Sequence, residues 1–213
     1  MCRLLFVNSK QNFSIHPHLE QFAQISKCSK EYQGHGWGCA YLVNNEWKIY
    51  KNINPIWEDN LDRFGETSVL LAHARSAFRN EGIKIENNMP FQKKEMIFIF
   101  NGELHGVRIK ENGRIGAEKI LNFIFRFNRG NLLEALRKSI DIINKKTNYI
   151  RAINIIMSDK KAVYISSIFN EDPEYFTMHF KQSDSTHVIC SDPYPNEENW
   201  QKISNNSIME FLL

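Results

Sequence analysis

Met1-Cys2-Arg3-Leu4-Leu5-Phe6-Val7-Asn8 begins the chain with one basic residue and then four apolar residues in succession, Leu4 to Val7. A short unbroken apolar run reads as a strand buried on both faces. Starting this close to the first residue, it is expected to be an interior strand that holds Cys2 at its end. Two further segments have the same character. Ser68 to Arg75 carries His73 and Arg75 as its last polar residues, and Met96 to Phe100 runs directly into Asn101-Gly102.

Around these interior strands the pattern is mixed. Pro17 to Ser29 spaces Leu19, Phe22, Ala23 and Ile25 as a helix would. Gly34-His35-Gly36-Trp37-Gly38 is a glycine-rich loop feeding Cys39 to Val43, which should pair with Glu46 to Lys51 about Asn44-Asn45. Trp57 to Phe64 is expected to be one short helix, and Asn87, Asn88 and Pro90 mark a loop. Gly116 to Phe127 and Asn131 to Lys145 read as two helices separated by Gly130; in the second, Leu132, Leu136, Ile140 and Ile143 recur every three or four residues. Strands are then expected at Ile150 to Met157, Ala162 to Ile168, Tyr175 to Lys181 and Thr186 to Ser191. Strands, a helix pair and strands again suit an α+β sandwich.

At 213 residues, with 42% apolar residues and 15 Phe, the chain can close a sizeable core and is read as one domain, 1–213. The formal charge is +3 and no run of five or more Lys/Arg occurs, which argues against nucleic acid as a partner. The longest apolar run, Met96 to Phe100, is far below the roughly 20 residues of a membrane span, and the first eight residues lack a secretory h-region. No membrane association and a cytoplasmic location are expected.

In a reducing cytosol the four cysteines need form no disulfide. Cys28, Cys39 and Cys190 read as small buried hydrophobes. Cys28, His35 and Cys39 are unevenly spaced and lack a fourth zinc ligand. His187 and Cys190, three apart on a strand, point to opposite faces. Cys2 is different. Methionine aminopeptidase removes Met1 before a small residue, which would leave a free amine and a thiol on one residue. An α-amine titrates near pH 7.7–8.0, so it can take the thiol proton. Asn101-Gly102 reads alone as a tight turn, but after an apolar strand its carboxamide and backbone N–H are two donors suited to an oxyanion. Arg75 offers a five-donor fork for a substrate carboxylate, or a structural ion pair.

Cys2, Gly36-Trp37-Gly38, Ala72-His73-Ala74-Arg75, Glu86-Asn87-Asn88-Met89-Pro90-Phe91, Phe100-Asn101-Gly102-Glu103-Leu104 and Trp200-Gln201-Lys202-Ile203 occur together and in order. In this the sequence resembles the stand-alone class II glutamine amidotransferases of the N-terminal nucleophile hydrolase superfamily. The resemblance implies a four-layer αββα sandwich and cleavage of a γ-glutamyl amide through a thioester on Cys2. It also implies an oxyanion hole at Asn101 and Gly102, with Arg75 and His73 on the substrate side and no metal or cofactor. The implied partner is a small γ-glutamyl substrate. An ammonia-accepting partner protein and a homodimer stay open.

Two departures matter. Gly113-Arg114-Ile115-Gly116-Ala117-Glu118-Lys119 places Gly116 where the resemblance implies an Asp that holds the substrate ammonium, so free glutamine is expected to bind poorly unless Glu118 or Glu103 reaches the site. Met89 stands where relatives carry His, and a thioether donates no hydrogen bond. The alternatives are a hydrolase of γ-glutamyl conjugates lacking a free amine, and a non-catalytic binding protein on the same scaffold.

Overall fold

The computed structural model describes every residue except Asp184, and Asn80 in its backbone alone. In chain order the elements are β1 (Arg3–Ser14), α1 (Ile15–Lys27), β2 (Trp37–Val43), β3 (Glu46–Asn52), β4 (Glu66–Ala74), β5 (Phe91–Lys93), β6 (Met96–His105), α2 (Gly116–Phe127) and α3 (Leu132–Lys146). They continue with β7 (Tyr149–Ser158), β8 (Ala162–Ser167), α4 (Pro173–Phe176), β9 (His179–Gln182), β10 (Thr186–Cys190), β11 (Gln201–Lys202) and β12 (Ser207–Leu212). One antiparallel sheet has the order β11-β9-β10-β1-β4-β2-β3 and the other β12-β8-β7-β6-β5. The first strand is thus the middle strand of seven, as its unbroken apolar run requires.

Alternation along the strands builds the layers. Leu5 and Val7 of β1 and Leu70 and Ala72 of β4 pack with Ile15, Leu19 and Phe22 of α1. The intervening Leu4, Phe6, Val69 and Leu71 face the other way, into a core shared with β6 and β7. Ile120, Leu121 and Ile124 of α2 and Leu136, Ile140 and Ile143 of α3 close the far side of that core. The order is helix, sheet, sheet, helix pair: an α+β, four-layer αββα sandwich. No helix among the described residues is long and apolar enough to cross a membrane.

Local chemistry explains where the elements begin and end. Asn44 and Asn45 both take positive φ, 51° and 60°, and turn β2 tightly into β3. Asn131 caps α3, its side chain accepting from Glu134 N at 3.0 Å. The expected helix at Trp57 to Phe64 is instead two single turns, Ile56–Glu58 and Leu61–Arg63. Between them Asp59 is extended (φ −98°, ψ 156°). Its carboxylate accepts from Trp37 Nε1 at 2.9 Å, Tyr50 Oη at 2.8 Å and Asn52 Nδ2 at 2.6 Å, which fastens this segment to β2 and β3. Tyr175 to Lys181 likewise divides, because Pro173 starts the helical turn α4 before β9. The short strands β5, β11 and β12 carry no clear periodic pattern in the sequence.

Candidate active site

Register brings Cys2 and Arg75 together. Arg3 of β1 lies opposite Ala74 of β4, so the residues just beyond them, Cys2 and Arg75, stand at the same end of adjacent strands. Arg75 is fixed from the other side by the glycine-rich loop: Gly36 O accepts from Arg75 N at 2.9 Å and Arg75 O from His35 N at 3.1 Å. Gly36 sits at φ +102°, and a Cβ there would collide with the Asn88 carboxamide, so no other residue permits this approach. Asn88 Oδ1 in turn accepts from the Arg75 guanidinium at 3.3 Å, and Asn88 Nδ2 donates to Asn52 O at 2.8 Å. Arg75 is 6% exposed and its guanidinium makes no ion pair among the described residues. Its arrangement suits a carboxylate from a ligand.

Arg75 and Cys2 open onto a cleft of about 920 Å³ that Gly102, Glu103, Glu31 and Gly116 also line. Gly102 owes its place to the strand ladder. Ile153, its partner on β7, directs its N–H to Ile168 O at 2.7 Å on the β8 side. Ladder bonds alternate, so Gly102 points its own N–H away from β7. On that edge β5 pairs β6 only over Met96 to Phe98, so among the described residues no strand pairs with the Gly102 N–H, and Gly102 lies on the cleft wall. Asn101, on the opposite pleat with Glu103, is 1% exposed, and both its amide atoms lack a partner within the protein. A buried carboxamide left unsatisfied costs stability and calls for an explanation in function.

The Cys2 thiol is half-buried, with Sγ 3.8 Å from Ser76 O. Burial pushes its pKa up, while the terminal ammonium and Arg75 pull it down. The terminal Met1 ammonium pairs with Glu31. Arg151 donates to Glu31 at 3.1 Å and to Glu103 at 3.4 Å, and also pairs with Asp172. Burial alone would raise Glu31, but the ammonium and Arg151 hold its carboxyl below the usual range. His35 accepts from Ala77 N at 2.9 Å through Nδ1, and burial and the nearby Arg75 lower its pKa.

The remaining expectations divide. His73 is not brought to the cleft: it is fully buried between Leu4 and Gly38 of the neighbouring strands, and burial together with Arg75 lowers its pKa to about 3. Glu103 lines the cleft, whereas Glu118 bonds Arg114 at 2.8 Å and faces a separate cavity. Gly116, the first residue of α2, does lie on the cleft wall, as does Met89. Cys39 and Cys190 are buried as expected, but Cys28 is exposed, because it follows the last turn of α1. Glu31, Gln33, Arg151 and Tyr175 had no signal in the sequence; they come from a loop, a strand end and a one-turn helix that only the fold assembles.

No family model matches the chain, and no curated protein matches it by sequence. Solved structures do. One, described as a glutamine aminotransferase class-II domain protein from Silicibacter pomeroyi, superposes with a TM-score of 0.69 at 14% identity, over 98% of this chain and 94% of that one. A predicted glutamine amidotransferase from Pseudomonas aeruginosa gives 0.64 at 15% identity, over 99% and 97%. The chain has the fold of the class II glutamine amidotransferases. The glutamine phosphoribosylpyrophosphate amidotransferase of B. subtilis shares that fold (TM-score 0.62, 14% identity), with 89% of this chain covering 42% of the larger protein.

Proposed function

We propose that this chain, once Met1 is removed, is an amidohydrolase that cleaves the amide of glutamine or a γ-glutamyl-like small molecule through a thioester on Cys2. One observation carries the reading: Cys2, the unpaired Arg75 guanidinium and Gly102, whose N–H pairs with no strand among the described residues, open onto one cleft, beside a buried Asn101 carboxamide without a partner. The fold is that of enzymes named for glutamine amide chemistry, which agrees with it.

In this mechanism Arg75 receives the substrate carboxylate. The neutral Cys2 amine takes the thiol proton, and Sγ attacks the amide carbon. The negative charge that develops on oxygen is met by Asn101 Nδ2 and the Gly102 N–H. Collapse breaks the C–N bond, the Cys2 ammonium returns its proton to the departing nitrogen, and ammonia leaves. Water, deprotonated by the same amine, then releases the acid and restores the thiol. The ammonia goes to solvent or to an accepting partner protein, and a cytoplasmic location supplies the aminopeptidase that exposes the amine.

Ammonia release from glutamine and from γ-glutamyl amides tests this. The Met1-free protein should turn over at least one of them, and Cys2→Ala should remove essentially all of that activity. Turnover that persists unchanged in Cys2→Ala contradicts the assignment, as does none in a Met1-free wild type.

A further inference from the structure

Met1 is not a loose end in this structure. Its ammonium pairs with Glu31, which Arg151 braces from behind. Its carbonyl oxygen accepts from Gln33 Nε2 and Tyr175 Oη, and those two side chains are themselves joined at 3.1 Å. Its side chain packs against Ala152, Phe169, Tyr175 and Phe176. Every part of an α-amino acid is therefore met: the ammonium by a carboxylate, the carboxyl oxygen by two donors, the side chain by an apolar wall. Gln33 is fully buried, and its Oε1 has no partner even with Met1 in place.

We propose that Glu31, Gln33 and Tyr175 form an α-amino-acid subsite beside Cys2, filled by Met1 in the unprocessed chain and by the ammonium-bearing end of a ligand after Met1 is removed. When Met1 departs, the terminal amine moves one residue on to Cys2, where the mechanism uses it neutral as the base; Glu31 keeps Arg151 and is left open to a ligand's ammonium, and Tyr175 Oη loses its acceptor. A carboxylate, a donor pair and an orphaned carbonyl then line the end of the cleft that holds the nucleophile. No other lining carboxylate is so placed. Glu103 is tied to Arg151 and His105, Glu111 to Arg126, and Glu81 lies on the exposed turn at 78–82, where a solvated ion pair is worth little. The ligand is the amino-acid end of the amide substrate, its ammonium on Glu31 and its carboxylate shared between Arg75 and the Gln33–Tyr175 donors.

The proposal rests on Met1 removal and on the cleft assigned above, and binding to Cys2→Ala tests it without any need for turnover. Alanine at position 2 still permits Met1 excision, which intact mass verifies. L-Methionine should bind this protein saturably, N-acetyl-L-methionine at least tenfold more weakly, and Glu31→Gln should weaken methionine at least tenfold. Tyr175→Phe, which removes only the hydroxyl, should weaken it less and leave the fold intact. Cys2→Leu, which retains Met1, should not bind it at all. In the wild type, methionine should compete with the amide substrate, and saturable methionine binding without competition overturns the assignment of this subsite to that substrate. Absence of saturable binding to Cys2→Ala, or equal binding to Glu31→Gln, overturns the subsite. Loss of turnover with binding intact would count against the thioester reading alone.

Discussion

Asn101 separates what serves the fold from what serves the proposed reaction. Its carboxamide is 1% exposed and unpartnered, so it contributes desolvation cost and no internal hydrogen bond. Asn101→Leu, close in volume, should therefore leave stability unchanged or slightly higher while lowering the turnover number by roughly 10²–10³, the effect of losing one oxyanion donor. Chemical denaturation and steady-state kinetics on the same preparation check both halves. The residue scale is also where the sequence was most legible. Cys2, Arg75 and Gly102 could be picked out because each sits at the end of an apolar run, where a polar or flexible residue is conspicuous. His73 was picked out on the same ground; alternation puts it on the same face of β4 as Leu71 and Arg75, but it lies one step deeper, opposite Leu4, sealed in the core between the sheets and off the cleft wall.

β6 carries both proposed oxyanion donors, Asn101 and Gly102, and its packing against β7 is what fixes their positions. A Cβ on Gly102 would collide with the Ala152 carbonyl oxygen of β7 and come within 2.6 Å of the Phe100 ring. Gly102→Ala should thus cost about 1–3 kcal/mol through overpacking, a fall in Tm of roughly 2–12 °C, and should depress turnover by displacing the N–H. Gly65→Ala, where a Cβ meets nothing within 4 Å, is the control and should stay within about 0.5 kcal/mol. Elements with strong internal periodicity were readable from the sequence: the expected Gly116 to Phe127 helix is α2 itself. Trp57 to Phe64 was not, because its shape is dictated by Asp59 reaching residues 37, 50 and 52, contacts that local spacing does not encode.

At the scale of the molecule, two sheets facing each other bury a titratable ring between strands, and this sets a pH dependence of stability. His73 is held at about 3 by burial and by Arg75, against an ordinary value near 6.5. Above pH 6.5 the ring is neutral in both folded and unfolded chains and contributes nothing. Below it the unfolded chain takes up a proton that the folded one refuses, so stability falls as pH drops toward 3. Between pH 7 and pH 5 this amounts to about 2 kcal/mol. In His73→Leu that increment should be missing from the pH 7 to pH 5 difference, whatever the variant's absolute stability. The layer order itself was legible only in outline, since the resemblance of ordered motifs implied it, while β5, β11 and β12 emerge only once the sheets offer them an edge to pair with.

The proposed function requires Cys2 to act as an N-terminal nucleophile. The direct measurement is the mass of the intact protein, purified without an N-terminal tag and acid-quenched during turnover of a γ-glutamyl amide, followed by mapping of the N-terminal peptide. The prediction is a chain that begins at Cys2 and carries the glutamyl acyl group on that peptide, with no adduct in Cys2→Ala. A chain that turns over substrate while retaining Met1, or an adduct found on any other residue, would contradict it.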